Sequence, residues 1–120
     1  MPPNDLKLRT FTYSVNIARL VRQLPHDTIN RHYFDQLIRC SSSIGANYRA
    51  AQRTKSNADF INKLKIVEEE SDETLFFLEL HLELNPSCLE IIKPLITEGT
   101  EILKIIVASI NTVRIRNMQA

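Results

Sequence analysis

The stretch Arg39–Leu84, RCSSSIGANYRAAQRTKSNADFINKLKIVEEESDETLFFLELHLEL, decides how this chain folds. At its middle lies a polar corner, Thr54-Lys55-Ser56-Asn57. Before the corner the residues are basic and unusually small, with Ser41-Ser42-Ser43 and Gly45-Ala46 in succession. After it, apolar residues recur at helical spacing among carboxylates. Ser56 can accept a hydrogen bond from a free amide at a helix start, and Asp59 makes a shortened capping box with it. A short connection between two long helices favours an antiparallel pair.

The helix after the corner spans about 57–84. Its main stripe is Phe60, Leu64, Val67, Leu75, Leu78 and Leu82. A second stripe, Ile66, Phe77, Leu80 and Leu84, falls on nearly the opposite side at ~100° per residue. A lone bundle buries one stripe per helix, so the second stripe predicts a contact between subunits. Glu68 and Ser71 interrupt the main stripe. A carboxylate facing inward must be paired, hydrogen-bonded or protonated. Glu68 is therefore expected inside the bundle, accepting hydrogen bonds from the preceding helix, with Asn47 and Tyr48 as donors.

That preceding helix spans about 28–54, capped by Asp27 or Thr28. Tyr33, Leu37, Cys40, Ile44, Tyr48 and Ala51 share one arc, and Arg31, Arg39, Arg49 and Arg53 share the opposite one with Asp35. The basic residues thus form a face. Ser and Gly are costly inside a helix, so the small run implies either close helix approach or a ligand that needs exposed backbone.

The run SSSIGANYRAAQRTKSNADFINKLKIVEEESDETLFFLEL resembles the bacterial four-helix-bundle proteins of the 23S rRNA intervening sequence family. The resemblance rests on Ser43-Ile44-Gly45-Ala46-Asn47, the basic residues that follow, the Lys55-Ser56 corner, Asp59-Phe60 and Glu68–Leu80. Where the commonest family pattern has Pro after the Ile, this chain has Gly45, and Tyr48-Arg49 stands near the family's Glu-Gly. The resemblance implies a four-helix bundle, a homopentamer and no enzyme activity. A distant relative in that fold is basic and works with nucleic acid.

The flanks complete the bundle. Met1–Asp5 is a polar, Pro-bearing lead-in. From 6 to 24 one row holds Leu8, Phe11, Val15 and Ala18 and another Tyr13, Ile17, Leu20 and Leu24, together read as one broad apolar face. Pro25 closes that helix. Asn85-Pro86 ends the third, Ser87–Lys93 reads as a short helical turn, and Pro94 suits the first turn of a fourth helix over about 94–116. The polar end from Arg114 is expected to fray. The expectation is one all-α domain over 1–120, an antiparallel up-down-up-down four-helix bundle.

Composition narrows the function less. Net charge is +1, yet residues 1–60 hold nine Lys/Arg against four Asp/Glu and residues 61–120 six against ten. Cys40 and Cys88 suggest neither a disulfide framework nor a zinc site. The apolar runs are shorter than the ~20 residues of a membrane span, and the expected setting is cytoplasmic. His26, His32 and His81 sit in no nucleophile, base or metal motif; in Glu79-Leu80-His81-Leu82-Glu83 alternate residues point apart on a helix. No catalytic, cofactor or metal residues are expected. Two functional readings follow: an oligomer binding RNA or DNA weakly through the arginine face, or a structural or protein-interaction module with an unidentified partner. The first needs the arginines exposed, the second needs them matched with carboxylates.

Overall fold

The computed structural model of the protein describes residues 5–119, so Met1–Asn4 of the lead-in lie outside the described residues. Four helices follow one another: α1 (Leu6–Gln23), α2 (Thr28–Ala51), α3 (Asn57–Leu84) and α4 (Leu89–Gln119), with a single 3-10 turn at Pro86–Cys88. Each packs against its chain neighbour and α1 closes the ring against α4, in an antiparallel bundle 53 × 25 × 23 Å. No strand occurs among the described residues.

Side-chain caps fix the helix starts. The carboxylate of Asp5 accepts from Leu8 N (3.2 Å), that of Asp27 from Asn30 N (2.8 Å), and the Ser56 hydroxyl from Asp59 N (3.1 Å). Asp27, not Thr28, is thus the cap of α2. Two boundaries differ from expectation. α2 ends at Ala51, where a turn held by Arg53 N to Ala50 O and Thr54 N to Ala51 O replaces the last helical residues. α4 begins at Leu89 rather than Pro94 and runs on through Arg114 to Gln119. Pro94 sits inside it, where its ring deprives the Glu90 carbonyl of a donor. The turn expected at Ser87–Lys93 is continuous with that helix.

The core is built from Tyr13, Ile17, Leu37, Ile44, Leu64, Val67, Leu78, Ile92, Ile102 and Ile106, all essentially inaccessible. Only one row of α1 contributes. Tyr13, Ile17, Leu20 and Leu24 are buried, whereas Leu8 and Phe11 are 41% and 52% exposed and Ala18 is exposed too. The two rows lie on opposite sides of α1, since at ~100° per residue their centres stand nearly half a turn apart. Thr10 takes a core position instead, its hydroxyl donating to Leu6 O (2.6 Å).

Glycine sets two close approaches. A Cβ at Gly45 would lie 3.3 Å from Thr10 Oγ1 and 3.5 Å from its carbonyl carbon, so α1 and α2 meet backbone to backbone there. Ser14 adds a hydroxyl bond to Ser41 O (3.1 Å). Close approach is therefore what the small run supplies. At Gly99 the space is filled by the Tyr13 ring, whose hydroxyl donates to Leu95 O (2.8 Å).

Candidate interaction surfaces

The seam between α2 and α3 gathers most of the side-chain chemistry. At its middle the exposed Arg39 reaches across to α3, with Nη2 2.6 Å from Glu73 Oε1 and Nη1 3.4 Å from Glu70 Oε2. Burial pushes the Glu70 carboxyl up, and the Arg39 charge partly offsets that shift. Further along, Thr74 Oγ1 donates to Cys40 Sγ (3.2 Å), and burial pushes the Cys40 thiol up, against a smaller downward pull from that hydrogen bond. Then come three aromatic contacts: Tyr33 with Phe77 (centroids 6.2 Å), Tyr33 edge-on to His81 (6.2 Å), and Phe34 stacked on His81 (5.4 Å). The seam ends in a reciprocal amide pair. Asn30 Nδ2 donates to Asn85 Oδ1 (2.9 Å) and Asn85 Nδ2 to Asn30 Oδ1 (3.1 Å).

His81 is the seam's unusual member. It has no solvent exposure, and neither ring nitrogen has a hydrogen-bond partner. Burial lowers its pKa, against a weaker upward pull from Asp27. The spacing carried a sign of this, since His81 lies three residues after Leu78 and seven after Thr74 on the buried side of α3, but the apolar stripe left it out as a polar residue.

The four arginines do not act alike. Arg31, Arg49 and Arg53 are exposed and take part in no ion pair among the described residues, whereas Arg39 is committed to α3. Arg49 lies over the Phe11 ring with its guanidinium carbon 5.6 Å from the centroid, a cation–π contact. On the far side of the bundle Arg9 clasps Glu98 in bidentate fashion, Nε to Oε2 2.8 Å and Nη2 to Oε1 2.6 Å, joining α1 to α4.

On α3, Ile66, Phe77 and Leu80 are half-buried and Leu84 is 46% exposed. The structure adds Phe76, 59% exposed and edge-on to Phe77 at 5.2 Å, which the two-stripe reading missed because it lies between the stripes. Phe76, Phe77, Leu80 and Leu84 make one band at the C-terminal end of α3. Ile66 stands apart, eleven residues or about 16 Å earlier along the helix.

Glu68 is not inside the bundle. It is half-buried beside Leu103 and Val107 of α4 at an open depression shared with Glu69 and Asp72. Asn47, also half-buried, donates its side-chain amide to Ser43 O (2.9 Å) instead. The cause is angular: one residue past the buried Val67 turns the side chain ~100°, out of the core and away from α2. The buried interruptions of the stripe are Ser71 and Thr74, whose hydroxyls bond Val67 O (2.7 Å) and Glu70 O (2.8 Å) of their own helix. Among the described residues no three His, Cys, Asp or Glu gather where they could hold a metal ion, and no helix is long and apolar enough to cross a membrane.

The profile of the 23S rRNA-intervening sequence proteins matches residues 5–108, and the chain belongs to that family. A crystal structure from Bacteroides thetaiotaomicron, of a protein with unknown function from the S23 ribosomal protein family, is 34% identical. The two superpose with a TM-score of 0.79 over 87% of this chain and 96% of the other. No curated protein gives a significant match.

Proposed function

We infer that the protein is a non-enzymatic, self-associating bundle whose function is to present surfaces rather than to catalyse. The observation that carries this reading is a second apolar side on two helices. Leu8 and Phe11 on α1, and Phe76 and Leu84 on α3, are large, apolar and between 41% and 59% exposed. Patches of this kind on a small domain mark contact sites. α1 and α3 are diagonal in the bundle, packing through α2 and α4 rather than on each other. Their outer sides therefore face in different directions. Two unlike patches favour head-to-tail contacts, which close as rings when the rotation permits. The resemblance to the family's homopentamers supports five copies in a cytoplasmic setting, where Cys40 and Cys88 stay as the free thiols they are here.

Light scattering at about 10 µM protein is expected to give a mass several times that of one chain, a concentration at which interfaces of ordinary strength are populated. Leu80→Glu is expected to return the mass to one chain with helicity unchanged, because a lone carboxylate in an interface core is poorly tolerated. A wild-type monomer at that concentration refutes the reading.

A second reading is favoured by one observation: Arg31 and Arg49, in phase on α2, and Arg53, in the turn after it, are exposed without carboxylate partners among the described residues. A ring would repeat these arginines and strengthen weak phosphate contacts by avidity. RNA or DNA is then expected to shift in gels at low salt and be released as salt rises. The change Arg49→Glu with Arg53→Glu is expected to abolish the shift while keeping the assembly intact. Absence of any shift by the native protein at tens of micromolar, on the scale of weak non-specific binding, removes nucleic acid from the account.

A further inference from the structure

The α3 contact band rests on His81. The imidazole is wholly buried and both its nitrogens lack partners, while one face stacks on Phe34 at 5.4 Å and 29°. Tyr33 stands edge-on against it at 6.2 Å, and the same Tyr33 ring packs on Phe77, which touches Phe76 in turn. A continuous file of rings therefore runs from a titratable core residue to the exposed band.

Neutral imidazole can occupy such a slot as an aromatic filler. Imidazolium cannot, because a buried charge with no acceptor at either nitrogen is costly. We propose that His81 is an acid-sensitive latch, packed when neutral and expelled when protonated, so that mild acid disorders the band and releases contacts made through it. The proposal rests on the self-association reading for its outward effect, though not for the opening itself.

The surrounding charges do not rescue the protonated ring. Asp27, the cap of α2, is the carboxylate whose field favours protonation, and burial outweighs it. Along α2, Arg31, His32 and Asp35 are exposed. On α3 itself Glu79 and Glu83 point to solvent, as do Glu90 and Lys93 of α4 and Arg22 of α1. His26 packs on the Phe34 ring at 5.2 Å and contacts Val21 O, and the half-buried Cys88 is the titratable side chain of the 3-10 turn. The sign follows from proton counting. The folded state holds the His81 proton less readily than the opened one, whose imidazole titrates near the ordinary ~6.5. Stability is then fully present above that pH and lost as pH falls below it, with the opening constant rising up to about tenfold per pH unit.

The test uses the full chain between about pH 7.5 and 5.5, above the range in which exposed carboxylates titrate. Light scattering over a dilution series is expected to show the assembly midpoint at higher protein concentration at the lower end, shifted by up to about tenfold for each contact that depends on the band. His81→Phe, which keeps a ring in the slot, is expected to hold one midpoint throughout. His26→Gln and His32→Gln are expected to shift as the wild type does. The His81 ring signals followed by NMR in the unmodified chain are expected to remain neutral until Tyr33 and Phe77 signals change with them. A constant midpoint across the range, or loss of the acid response in His32→Gln, overturns the latch. So does a His81 ring that titrates near 6.5 without disturbing Tyr33. A chain already monomeric at the upper pH refutes self-association alone, and the coupled NMR titration then decides the latch.

Discussion

Replacing Gly99 by alanine is expected to destabilise the bundle by about 2–3 kcal/mol, lowering Tm by roughly 8–12 °C for a chain of this size. The added Cβ would overlap the Tyr13 hydroxyl and come within 3.0 Å of Leu75 Cδ2. The Tyr13 ring cannot step aside cheaply, because it is buried and its hydroxyl is bound to Leu95 O at 2.8 Å. Overpacking costs about 1–3 kcal/mol and a broken buried bond about as much again, while alanine's helix preference returns about 1. Tyr13→Phe alone is expected to cost about 1 kcal/mol. The double change is expected to cost less than the sum of the two, since phenylalanine removes the colliding oxygen. Strict additivity in urea melts would show that Gly99 matters for some other reason.

Asn85→Leu is expected to cost about 2–3 kcal/mol, the effect of stranding buried polar partners. Asn85 is 9% exposed and ends α3 with two bonds to His81 O, one from its backbone amide (2.8 Å) and one from its side chain (2.9 Å). Its amide also pairs with Asn30, which holds Pro25 O at 2.8 Å and so ties the α1–α2 corner to the end of α3. Asn30→Leu is expected to cost a similar amount. Both together are expected to cost at least about 1 kcal/mol less than the sum, because the apolar pair leaves fewer orphaned groups than either single change. Urea unfolding of the three variants measures that coupling directly.

The corners at Pro25, Lys55-Ser56 and Asn85-Pro86 were legible because proline, serine and asparagine act through their own backbone and side-chain chemistry, whatever surrounds them. The α2 and α3 core stripes were legible for a related reason: Leu37, Ile44, Leu64, Val67 and Leu78 bury because they are apolar and in phase. Facing was harder. On α1 the row with Leu8 and Phe11 is as apolar as the row that is buried, and Thr10 hides its hydroxyl against its own helix. Glu68 was assigned to the core from its place near the stripe, although one residue of rotation carries it out. Spacing put Arg31 and Arg49 on one side of α2 and Phe77, Leu80 and Leu84 on one side of α3, but it did not show that Arg53 falls in the turn after α2 or that Phe76 is exposed beside Phe77. That arginines of α2 pair with the acidic α3 was one of the two readings, but that Arg39 is the one captured, by Glu70 and Glu73, depends on the register between the helices. His81 was in phase with Thr74 and Leu78 and was passed over because it is polar.

That the helices pack in chain order, with α1 against α4 as the one distant pairing among the described residues, has a consequence in time. Contacts between neighbours joined by short corners form without closing long loops, so the chain is expected to fold on the scale of milliseconds or less, as stopped-flow refolding would measure. The α2–α3 hairpin is positioned to form early, and the Arg9–Glu98 clasp can close only after both ends of the chain have arrived. Weakening that clasp therefore acts mainly on how fast the finished bundle comes apart, and scarcely on how fast it is made.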